Sequence, residues 1–232
     1  MAIRFYDLVG SDPLRPFSPH CWKIRMALAH KGLEVERVPV RFTEVPGIEG
    51  GAARTLPAIN HDGKLVVDSF SIALYLRDAF PDSGEHLFVG NGATGLSRFV
   101  EAWTNTQLHS WIRNWALLDI LAMLDPVDQV YFRKSREERY GKPLEEIVAG
   151  REKSLPDLLA RLEPLRTMLA SQPYLGGNSP LFADYVVFGA FQWLRVCSGL
   201  AMIPASEPVL EWVDRMLDLH DGLARSTPQA NA

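Results

Sequence analysis

A hydroxyl side chain and a proline stand together at Ser18-Pro19, after a short run of alternating β-prone residues that begins at Ile3. Serine before proline is typical of a helix start, with Ser18 as the N-cap and Pro19 as the first helical residue. The free backbone N–H groups and the helix dipole at such an end favour an anion. If that anion is a thiolate, the thiol pKa falls from about 8.5 toward neutrality and a nucleophile results. Ser18 is then a hydrogen-bond donor; the alternative is that it only caps its helix.

Two later pairs have the chemistry to bind a short peptide. Leu56-Pro57 precedes a β-prone run, although proline in a sheet is confined to edges, bulges and strand starts. Most X-Pro bonds are trans, but a cis bond here would leave the Leu56 N–H and C=O free to pair with an extended ligand. Asp68-Ser69 starts a second predicted helix, where such residues cap the helix or bind a charged ligand end. Asp68 suits an α-ammonium group, and Ser69 suits an α-carboxylate.

These pairs lie in a predicted β-α-β unit that is followed by a β-β-α unit. The first helix ends at Gly32, and the second strand covers residues 35–42. Asp62-Gly63 between two β-prone runs predicts a hairpin before the second helix. Later elements are all predicted as helices, over residues 96–124, 127–140, 144–170, 182–194 and 209–223. The predicted fold class is an α/β domain followed by an all-α domain.

The composition is that of an ordinary globular protein. Its 232 residues are 47% hydrophobic and 22% charged, and we divide them into a domain at 1–80, a linker at 81–94 and a domain at 95–232. The formal net charge of −4 gives no general attraction to nucleic acid or anionic membranes. No apolar run reaches the ~20 residues that span a bilayer. Charges interrupt the first apolar run, so we expect no signal peptide and a cytoplasmic protein.

Cysteine and histidine are too few or too scattered for a disulfide framework or a metal centre. Cys21 and Cys197 are the only cysteines, which agrees with a reducing compartment. The six histidines form no helical pair and no cluster with a cysteine, so no metal is expected. The charged run at residues 133–139 is typical of a solvated helix face.

The three pairs, Ser-Pro, Leu-Pro and Asp-Ser, resemble in order and spacing the thioredoxin-like domain of glutathione transferases. The second half of the chain agrees, because it contains segments similar to a turn and a buried helix start of that family, 174–177 and 182–185. One family feature is missing: the usual capping Ser or Thr is Leu181 here, so Ser179 or Asp184 has to compensate.

More narrowly, the chain resembles the bacterial β-etherases and their fungal etherase-like relatives. The resemblance rests on three segments: Ser18-Pro19 with Trp22-Lys23, Asp68-Ser69-Phe70 with Ile72-Ala73, and Ala149-Gly150-Arg151-Glu152 with Leu155-Pro156. In that branch, glutathione attacks aryl ethers or similar electrophiles.

The resemblance implies a thioredoxin-like N-terminal domain, a helical C-terminal domain and a cytoplasmic homodimer. It implies an enzyme in which glutathione, as co-substrate, attacks an apolar or aromatic electrophile, β-aryl ethers included. Ser18 is the expected catalytic donor to the glutathione sulfur. The expected glutathione-binding residues are Leu56, Pro57, Asp68, Ser69 and Arg54, with Arg41 as a further candidate for the glycine carboxylate.

The expected acceptor site is aromatic and lies between the two domains. Its predicted residues are Phe17, Tyr6, Trp111 and Trp115, and further aromatic candidates are Trp103, Trp193 and Tyr185. Trp111 and Trp115, spaced by four, are the preferred pair. The expected partners are therefore glutathione and a hydrophobic small molecule, with no nucleic acid and no membrane.

Two alternatives stay open at this stage. The segment 18–21 also resembles the Cys-Pro-x-Cys motif of glutaredoxins, which would make Cys21 the reactive group, although a cysteine one turn into a helix is more often a buried apolar residue. Tyr6 and Ser11 are other hydroxyl donors near the first strand, and packing is the simpler role for Tyr6. The second function class is a carrier that binds glutathione or aromatic ligands without turnover.

Overall fold

The computed structural model describes residues 3–230, and its first part is a four-stranded sheet in the order β2-β1-β3-β4. The strands are β1 (Ile3–Leu8), β2 (Val35–Val40), β3 (Ala58–His61) and β4 (Lys64–Val67). β1 pairs with β2 in parallel and with β3 in antiparallel orientation, and β4 pairs antiparallel with β3. A parallel pair requires a crossover connection, which the first helix provides. The predicted order of strands and helices in this half is confirmed.

Two helices cover this sheet domain, and both begin at the predicted caps. α1 (Pro19–His30) has Ser18 as its N-cap, and α2 (Ser69–Ala79) has Asp68. The predicted Asp62-Gly63 turn joins β3 to β4, with left-handed backbone at both residues (φ 51° and 87°). A type I′ hairpin turn needs this conformation at both central positions.

The segment after β2 differs from the predicted one. The sequence pattern predicts a strand up to residue 42, but β2 ends at Val40 and a 3₁₀ segment runs over Phe42–Gly51. The backbone N–H groups of Phe42 and Thr43 donate to the Asp128 carboxylate at 2.7 and 2.9 Å. Asp128 belongs to the helical half of the chain. The strand therefore ends because of a long-range contact, which the β-propensity of the local residues does not predict.

The remainder of the described chain is mainly helical. In chain order the elements are α3 (Ala93–Trp103), a π-helical segment (Thr104–His109), α4 (Ser110–Trp115), α5 (Leu117–Met123), α6 (Pro126–Tyr140), α7 (Leu144–Val148), a 3₁₀ turn (Arg151–Ser154), α8 (Leu155–Arg161), α9 (Glu163–Leu169), α10 (Phe182–Cys197) and α11 (Val209–Gly222). Two predicted helices are thus divided into shorter ones. The predicted helix 96–124 breaks at Ala116 (φ −92°, ψ 4°), and the predicted helix 144–170 breaks at Gly150 (φ 67°). Apolar periodicity does not distinguish one long helix from short ones that face the same core.

α10 is the central helix, and all of its residues except Ala183 are buried. At Gly189 it lies against the first turn of α1: a Cβ atom there would come within 2.5 Å of the Pro19 carbonyl oxygen. Glycine is required at this position because any side chain would hold the two helices apart. One turn further along α1, the fully buried Lys23 pairs with Glu101 of α3 at 3.0 Å. Both contacts join the sheet domain to the helical domain.

The buried Asp184 supplies the cap that Leu181 does not provide at the start of α10. Its carboxylate accepts the N–H of Leu181 at 3.0 Å. The N–H groups of Leu175 and Gly176 donate to the same carboxylate at 2.7 and 2.9 Å, and the indole N–H of Trp212 donates at 3.1 Å. One side chain therefore fixes the preceding turn and α11 together.

A single large apolar core extends through both halves of the chain, and Trp22 of α1 and Phe188 of α10 are among its fully buried members. A smaller cluster lies on the other side of the sheet domain and includes Tyr6 and Val40. Over residues 3–230, no helix combines the length and the apolar character that crossing a membrane requires.

Gly189→Ala is expected to lower the free energy of unfolding, although alanine is the better helix former by about 1 kcal/mol. The added methyl group meets the Pro19 carbonyl oxygen, and overpacking of this kind costs about 1–3 kcal/mol. Urea denaturation measures the change. Gly95→Ala is the matched control, because Gly95 lies inside α3 and a Cβ there meets no atom within 4 Å. Equal effects of the two variants would contradict the close approach of α1 and α10.

Candidate functional site

Ser18 lies where the loop after β1 enters α1. Its backbone is extended (φ −64°, ψ 125°), and its Oγ accepts the N–H of Cys21 at 3.3 Å. The hydroxyl hydrogen takes no part in this bond and is left to donate. Pro19 has no N–H, and the N–H of His20 has no acceptor within residues 3–230. This helix end therefore offers a hydroxyl and a backbone N–H to an anion.

A cleft of about 230 Å³ borders Ser18 and lies between the two domains. The sheet domain contributes the loop before α1, the first turn of α1 and Phe42. The helical domain contributes the opposite wall. The lining residues are Leu8, Phe17, Ser18, Pro19, His20, Phe42, His109, Arg113, Leu117, Ile120, Phe132, Arg136, Arg139 and Trp193. The cleft is thus mostly apolar and aromatic, with basic groups among the rings.

Phe42 forms one side of the cleft, and Asp128 holds it there through the two backbone hydrogen bonds described above. The Phe42 ring lies 5.9 Å from the ring of Phe17 and 5.7 Å from that of Phe132, measured between centroids. The Arg136 guanidinium lies 4.3 Å from the centre of the Phe132 ring and 5.2 Å from that of Phe42. Contacts between tilted aromatic rings and cation–π attraction therefore fix this wall in addition to the hydrogen bonds.

Two histidines lie edge to face in the cleft, with 5.1 Å between the ring centroids of His20 and His109. His109 also meets the ring of Trp193 at 5.7 Å. Burial, assisted by the Lys23 cation and opposed by the Asp68 carboxylate, lowers the pKa of His20 to about 3. Burial likewise holds the pKa of His109 well below its usual value. Both rings are neutral at pH 7, so the positive charge of the cleft comes from its arginines.

The strand register brings the predicted peptide-binding segments to one end of the sheet. Ala58, which follows Leu56-Pro57, pairs with β1 near its carboxyl end and with Val67 of β4. Asp68 directly follows Val67. Both segments therefore lie at the end of the sheet where the chain leaves β1 for the start of α1.

These segments leave several polar groups available. The Leu56-Pro57 bond is cis, whereas the sequence alone favours trans. Within residues 3–230 the backbone N–H and C=O of Leu56 have no hydrogen-bond partner. One carboxylate oxygen of Asp68 caps α2 at 2.9 Å, and the other is available to a ligand. Ser69 is the buried first residue of α2, and Arg54 is exposed.

Residues 15–84 match the N-terminal domain of glutathione S-transferases, and residues 95–215 match the C-terminal domain of glutathione S-transferases. The chain belongs to the glutathione S-transferase family. The predicted fold, a thioredoxin-like sheet domain followed by a helical domain, is confirmed.

Three relatives resemble this chain over most of its length. The glutathione S-transferase-like protein ustS of Aspergillus flavus is 26% identical over 226 residues, which cover 82% of this chain and 79% of that protein. The solved glutathione transferase GSTFuA2 of Phanerochaete chrysosporium is 27% identical, with a TM-score of 0.77 over 99% of both chains. CsGST63524 of Ceriporiopsis subvermispora, solved in complex with glutathione, is 22% identical, with a TM-score of 0.76 over 98% of this chain and 95% of that one.

The predicted resemblance to the β-etherases is also confirmed. Protein LigF of Sphingobium sp. is 33% identical over 93 residues, or 38% of this chain and 33% of that protein. The solved β-etherase LigF of Sphingobium sp. strain SYK-6 has a TM-score of 0.64 at 21% identity, over 97% of this chain and 98% of that one. The structural likeness at this identity is a likeness of fold.

The structure places Trp111 and Trp115, the predicted acceptor pair, outside the cleft beside Ser18. Their rings stack with centroids 4.7 Å apart, and the Trp111 indole N–H donates to the Ser154 carbonyl at 3.0 Å. They line a separate cavity together with Arg151. A spacing of four puts both rings on one helix face, but it does not specify which neighbour that face meets. Trp193 of α10 is the tryptophan that lines the cleft beside Ser18.

The other predicted hydroxyl and thiol groups also lie outside the cleft. The Tyr6 hydroxyl bonds to Glu49 and its ring packs in the smaller core cluster, which matches the packing role given as the simpler alternative; Tyr6 does not line the cleft. The Ser11 hydroxyl donates to the Met123 carbonyl at 3.0 Å. Cys21 is fully buried, and burial raises the pKa of its thiol far above the usual range. Ser18 and Phe17 are the predicted residues that line the cleft, together with the further candidate Trp193.

The basic residues of the cleft are not among the residues predicted from the sequence. Arg133 fits the predicted solvated face, because it pairs with Glu145 at 2.8 Å. Arg136 and Arg139 from the same charged run line the cleft instead. The available signal was spacing: Phe132, Arg136 and Arg139 follow at intervals of four and three and so share one helix face.

The half-buried, neutral His20 predicts that acid destabilises the folded protein. An unfolded histidine has a pKa of 6.5, and burial lowers the pKa of His20 to about 3. Below pH 6.5 the unfolded state therefore binds a proton that the folded state does not, and the free energy of unfolding falls by up to about 1.4 kcal/mol per pH unit from this site. His20→Gln should make the fall shallower in urea denaturation at a series of acidic pH values. An unchanged slope would mean that His20 titrates alike in both states.

Proposed function

We propose that this chain is an active glutathione transferase that holds the glutathione sulfur as a thiolate beside Ser18. The observation that carries the proposal is the Ser18 hydroxyl at the wall of the cleft, whose Oγ already accepts the Cys21 N–H and whose hydrogen is free to donate. A hydrogen bond from this hydroxyl and the positive end of the α1 dipole both favour the thiolate over the thiol. The thiol pKa then falls below its ordinary value of about 8.5.

The parts of glutathione other than the sulfur would be bound by groups at the same end of the sheet. In the proposal, the Asp68 carboxylate pairs with the γ-glutamyl ammonium group, and Ser69 donates to the γ-glutamyl carboxylate. The backbone N–H and C=O of Leu56, next to Pro57, pair with the backbone of the tripeptide. Arg54 supplies a cation for the glycine carboxylate. The strand register supports this arrangement, because it brings these segments to the carboxyl end of β1.

The proposed reaction is a nucleophilic displacement by sulfur. The thiol proton passes to solvent, and a sulfur lone pair forms a C–S bond to the electrophilic carbon. The bond from that carbon to the leaving group breaks, and the leaving group departs with its electron pair. An aryl halide releases halide, and a β-aryl ether releases an aryloxide that water protonates. The similarity to the β-etherase LigF supports testing aryl ethers first.

The aromatic acceptor lies, in this proposal, against Phe17, Phe42, Phe132 and Trp193. These rings offer apolar area and rigid faces on which an aryl group can stack. The same walls keep the acceptor beside Ser18, and holding two reactants together lowers the entropic part of the barrier.

A carrier without turnover is the function to be excluded. It would use the same cleft and bind glutathione with an unshifted thiol pKa. Thiol transfer through Cys21 is disfavoured by the complete burial and raised pKa of that thiol.

Ser18→Ala is expected to return the pKa of bound glutathione toward its free value. Because a higher thiol pKa leaves less of the bound glutathione as the nucleophilic thiolate at neutral pH, kcat/KM should fall by about 10- to 1000-fold. Ultraviolet difference spectroscopy measures the thiol pKa, and turnover is measured with a panel of aryl halides and β-aryl ethers.

The controls separate the hydroxyl from the helix cap. Ser18→Ala also removes an N-cap worth about 1 kcal/mol, whereas Ser18→Thr keeps both cap and hydroxyl and should keep most of the activity. Tyr6→Phe and Cys21→Ala should leave the thiol pKa unchanged. A pKa shift that survives Ser18→Ala and is lost in Cys21→Ala would transfer the role to Cys21. An unshifted pKa in the wild type, without turnover, would support the carrier.

The proposal includes a cytoplasmic homodimer, with the chain divided into residues 1–80, 81–94 and 95–232. Exposed apolar side chains on α3 support the dimer: Leu96 and Phe99, one turn apart, are 69% and 70% exposed. Phe99 also borders an apolar groove that contains Trp103, Pro164 and Met168. A self-complementary interface at this patch would remove its apolar surface from water.

Phe99→Glu is expected to convert the dimer to a monomer, because it puts a charge into the proposed apolar interface. Size-exclusion chromatography with light scattering measures the mass in solution. Val89→Glu is the control, since Val89 is 59% exposed but lies in the linker. A monomeric wild type, or a Phe99→Glu variant that stays dimeric, would rule out this interface.

A further inference from the structure

We infer that the acceptor of this transferase carries a negatively charged group, and that Arg113 and Arg139 bind it; this inference rests on the proposed function. Arg113, Arg136 and Arg139 all line the cleft beside Ser18. Within residues 3–230 none of the three forms an ion pair with a carboxylate, and Arg136 donates to the Ser135 hydroxyl at 2.8 Å.

Two helices contribute these arginines to the cleft. Arg136 and Arg139 lie one turn apart on α6, and Arg113 lies on α4. The Tyr140 hydroxyl donates to the side-chain oxygen of Asn114 at 3.0 Å. Because Tyr140 follows Arg139 and Asn114 follows Arg113, this bond joins the two helices beside the two arginines. Arg113 and Arg139 are exposed and Arg136 is half-buried, so the cations run from the entrance of the cleft inward.

The inner cation is held between aromatic rings and lacks a counter-ion. Arg136 lies over Phe132 and Phe42, as described above, and burial lowers its pKa. Taking a guanidinium out of water without a carboxylate partner is unfavourable. A ligand anion in the cleft would offset that cost.

The cleft is positive although the chain as a whole is negative. The formal net charge is −4, yet no Asp or Glu is among the described residues that line the cleft. His20 and His109 are neutral, and the nearby Asp128 carboxylate is engaged by two backbone N–H groups. Uncompensated guanidinium groups in a partly enclosed cleft focus a positive potential, which attracts and selects anions.

An aromatic carboxylate fits these features best. The planar guanidinium group binds a carboxylate through two parallel hydrogen bonds, and the ring stacks on Phe17 or Trp193. Glutathione also carries carboxylates, but its proposed contacts, Leu56 and Asp68, lie in the sheet domain. The arginines lie across the cleft on the helical domain, so we assign them to the acceptor.

Two acceptors that differ by one charge test the inference: a chlorodinitrobenzoate and the corresponding chlorodinitrobenzamide. Each kcat/KM is divided by the rate constant of the uncatalysed reaction with glutathione, because the two rings differ in intrinsic reactivity. We expect the corrected value to be about 10-fold higher for the carboxylate in the wild type. The double variant Arg113→Gln/Arg139→Gln should bring this ratio toward one without raising the KM for glutathione.

Lys134→Gln is the matched control, because it removes one charge from α6 at a side chain that is 75% exposed and outside the cleft. It should leave the ratio unchanged. A wild-type ratio of one or less, or a ratio that the double variant does not alter, would overturn the inference. A raised KM for glutathione at an unchanged ratio would also overturn it, and would assign the arginines to the glycine carboxylate.

Binding of the two product thioethers, measured by isothermal titration calorimetry, requires no turnover. Tighter binding of the carboxylate thioether, lost in the double variant, would support the inference even in a protein that fails to activate glutathione. Equal Kd values for the two thioethers would overturn it. The proposed function and the acceptor charge can therefore fail independently of each other.

Discussion

The close approach of α1 to α10 is the contact on which the candidate site depends. Gly189 lets the Pro19 carbonyl come near the central helix, so the first turn of α1 is pressed against the helical domain. The buried pair of Lys23 and Glu101 also holds the two domains together, because separating them would leave a charge unpaired in an apolar region. As a result, Ser18 is part of a wall that both domains build, and an anion held there faces the cleft between them.

Buried carboxylates fix the segments around this contact. Asp184 binds the backbone of the turn before α10, and Asp128 binds the backbone of the 3₁₀ segment after β2. Asp7, at the carboxyl end of β1, pairs with Arg25 at 3.1 Å and Arg37 at 3.4 Å. Asp184 and Asp128 each tie an irregular segment to a helix, and their backbone partners replace lost hydration. Asp7 ties β1 to α1 and β2 through its two arginine partners. The loops that shape the cleft are therefore set by the core of the protein.

Interactions between residues that are close together in the chain are predictable from this sequence, whereas interactions between distant residues are not. The caps at Ser18 and Asp68 depend on residues within four positions, and both form where the pattern predicts them. The segment at Phe42 depends on Asp128, 86 positions away, and local propensity predicts a strand there instead. Trp111 lies on the predicted kind of element but lines a cavity other than the cleft. The π-helical segment before α4 turns the following side chains to a different face of the helix. A prediction based on the α-helical period of 3.6 residues does not include this change. Helix faces are thus predictable from this sequence, whereas the neighbours that they meet are not.

Arginines on the two sides of α6 differ in whether they are paired with a carboxylate. This difference is relevant to the function of the cleft. On the outer side, Arg133 is paired with Glu137 at 2.9 Å and with Glu145 at 2.8 Å. On the inner side, Arg136 and Arg139 line the cleft without a carboxylate partner among the described residues. A glutamate at an adjacent lining position would pair with them and stabilise the fold. Without such a glutamate, the folded protein lacks that stabilisation and the positive charge of the cleft stays unpaired. Natural proteins retain such unpaired groups where binding requires them. The charges of the inner side are therefore better explained by a ligand than by solubility, which the exposed and paired charges of the outer side already provide.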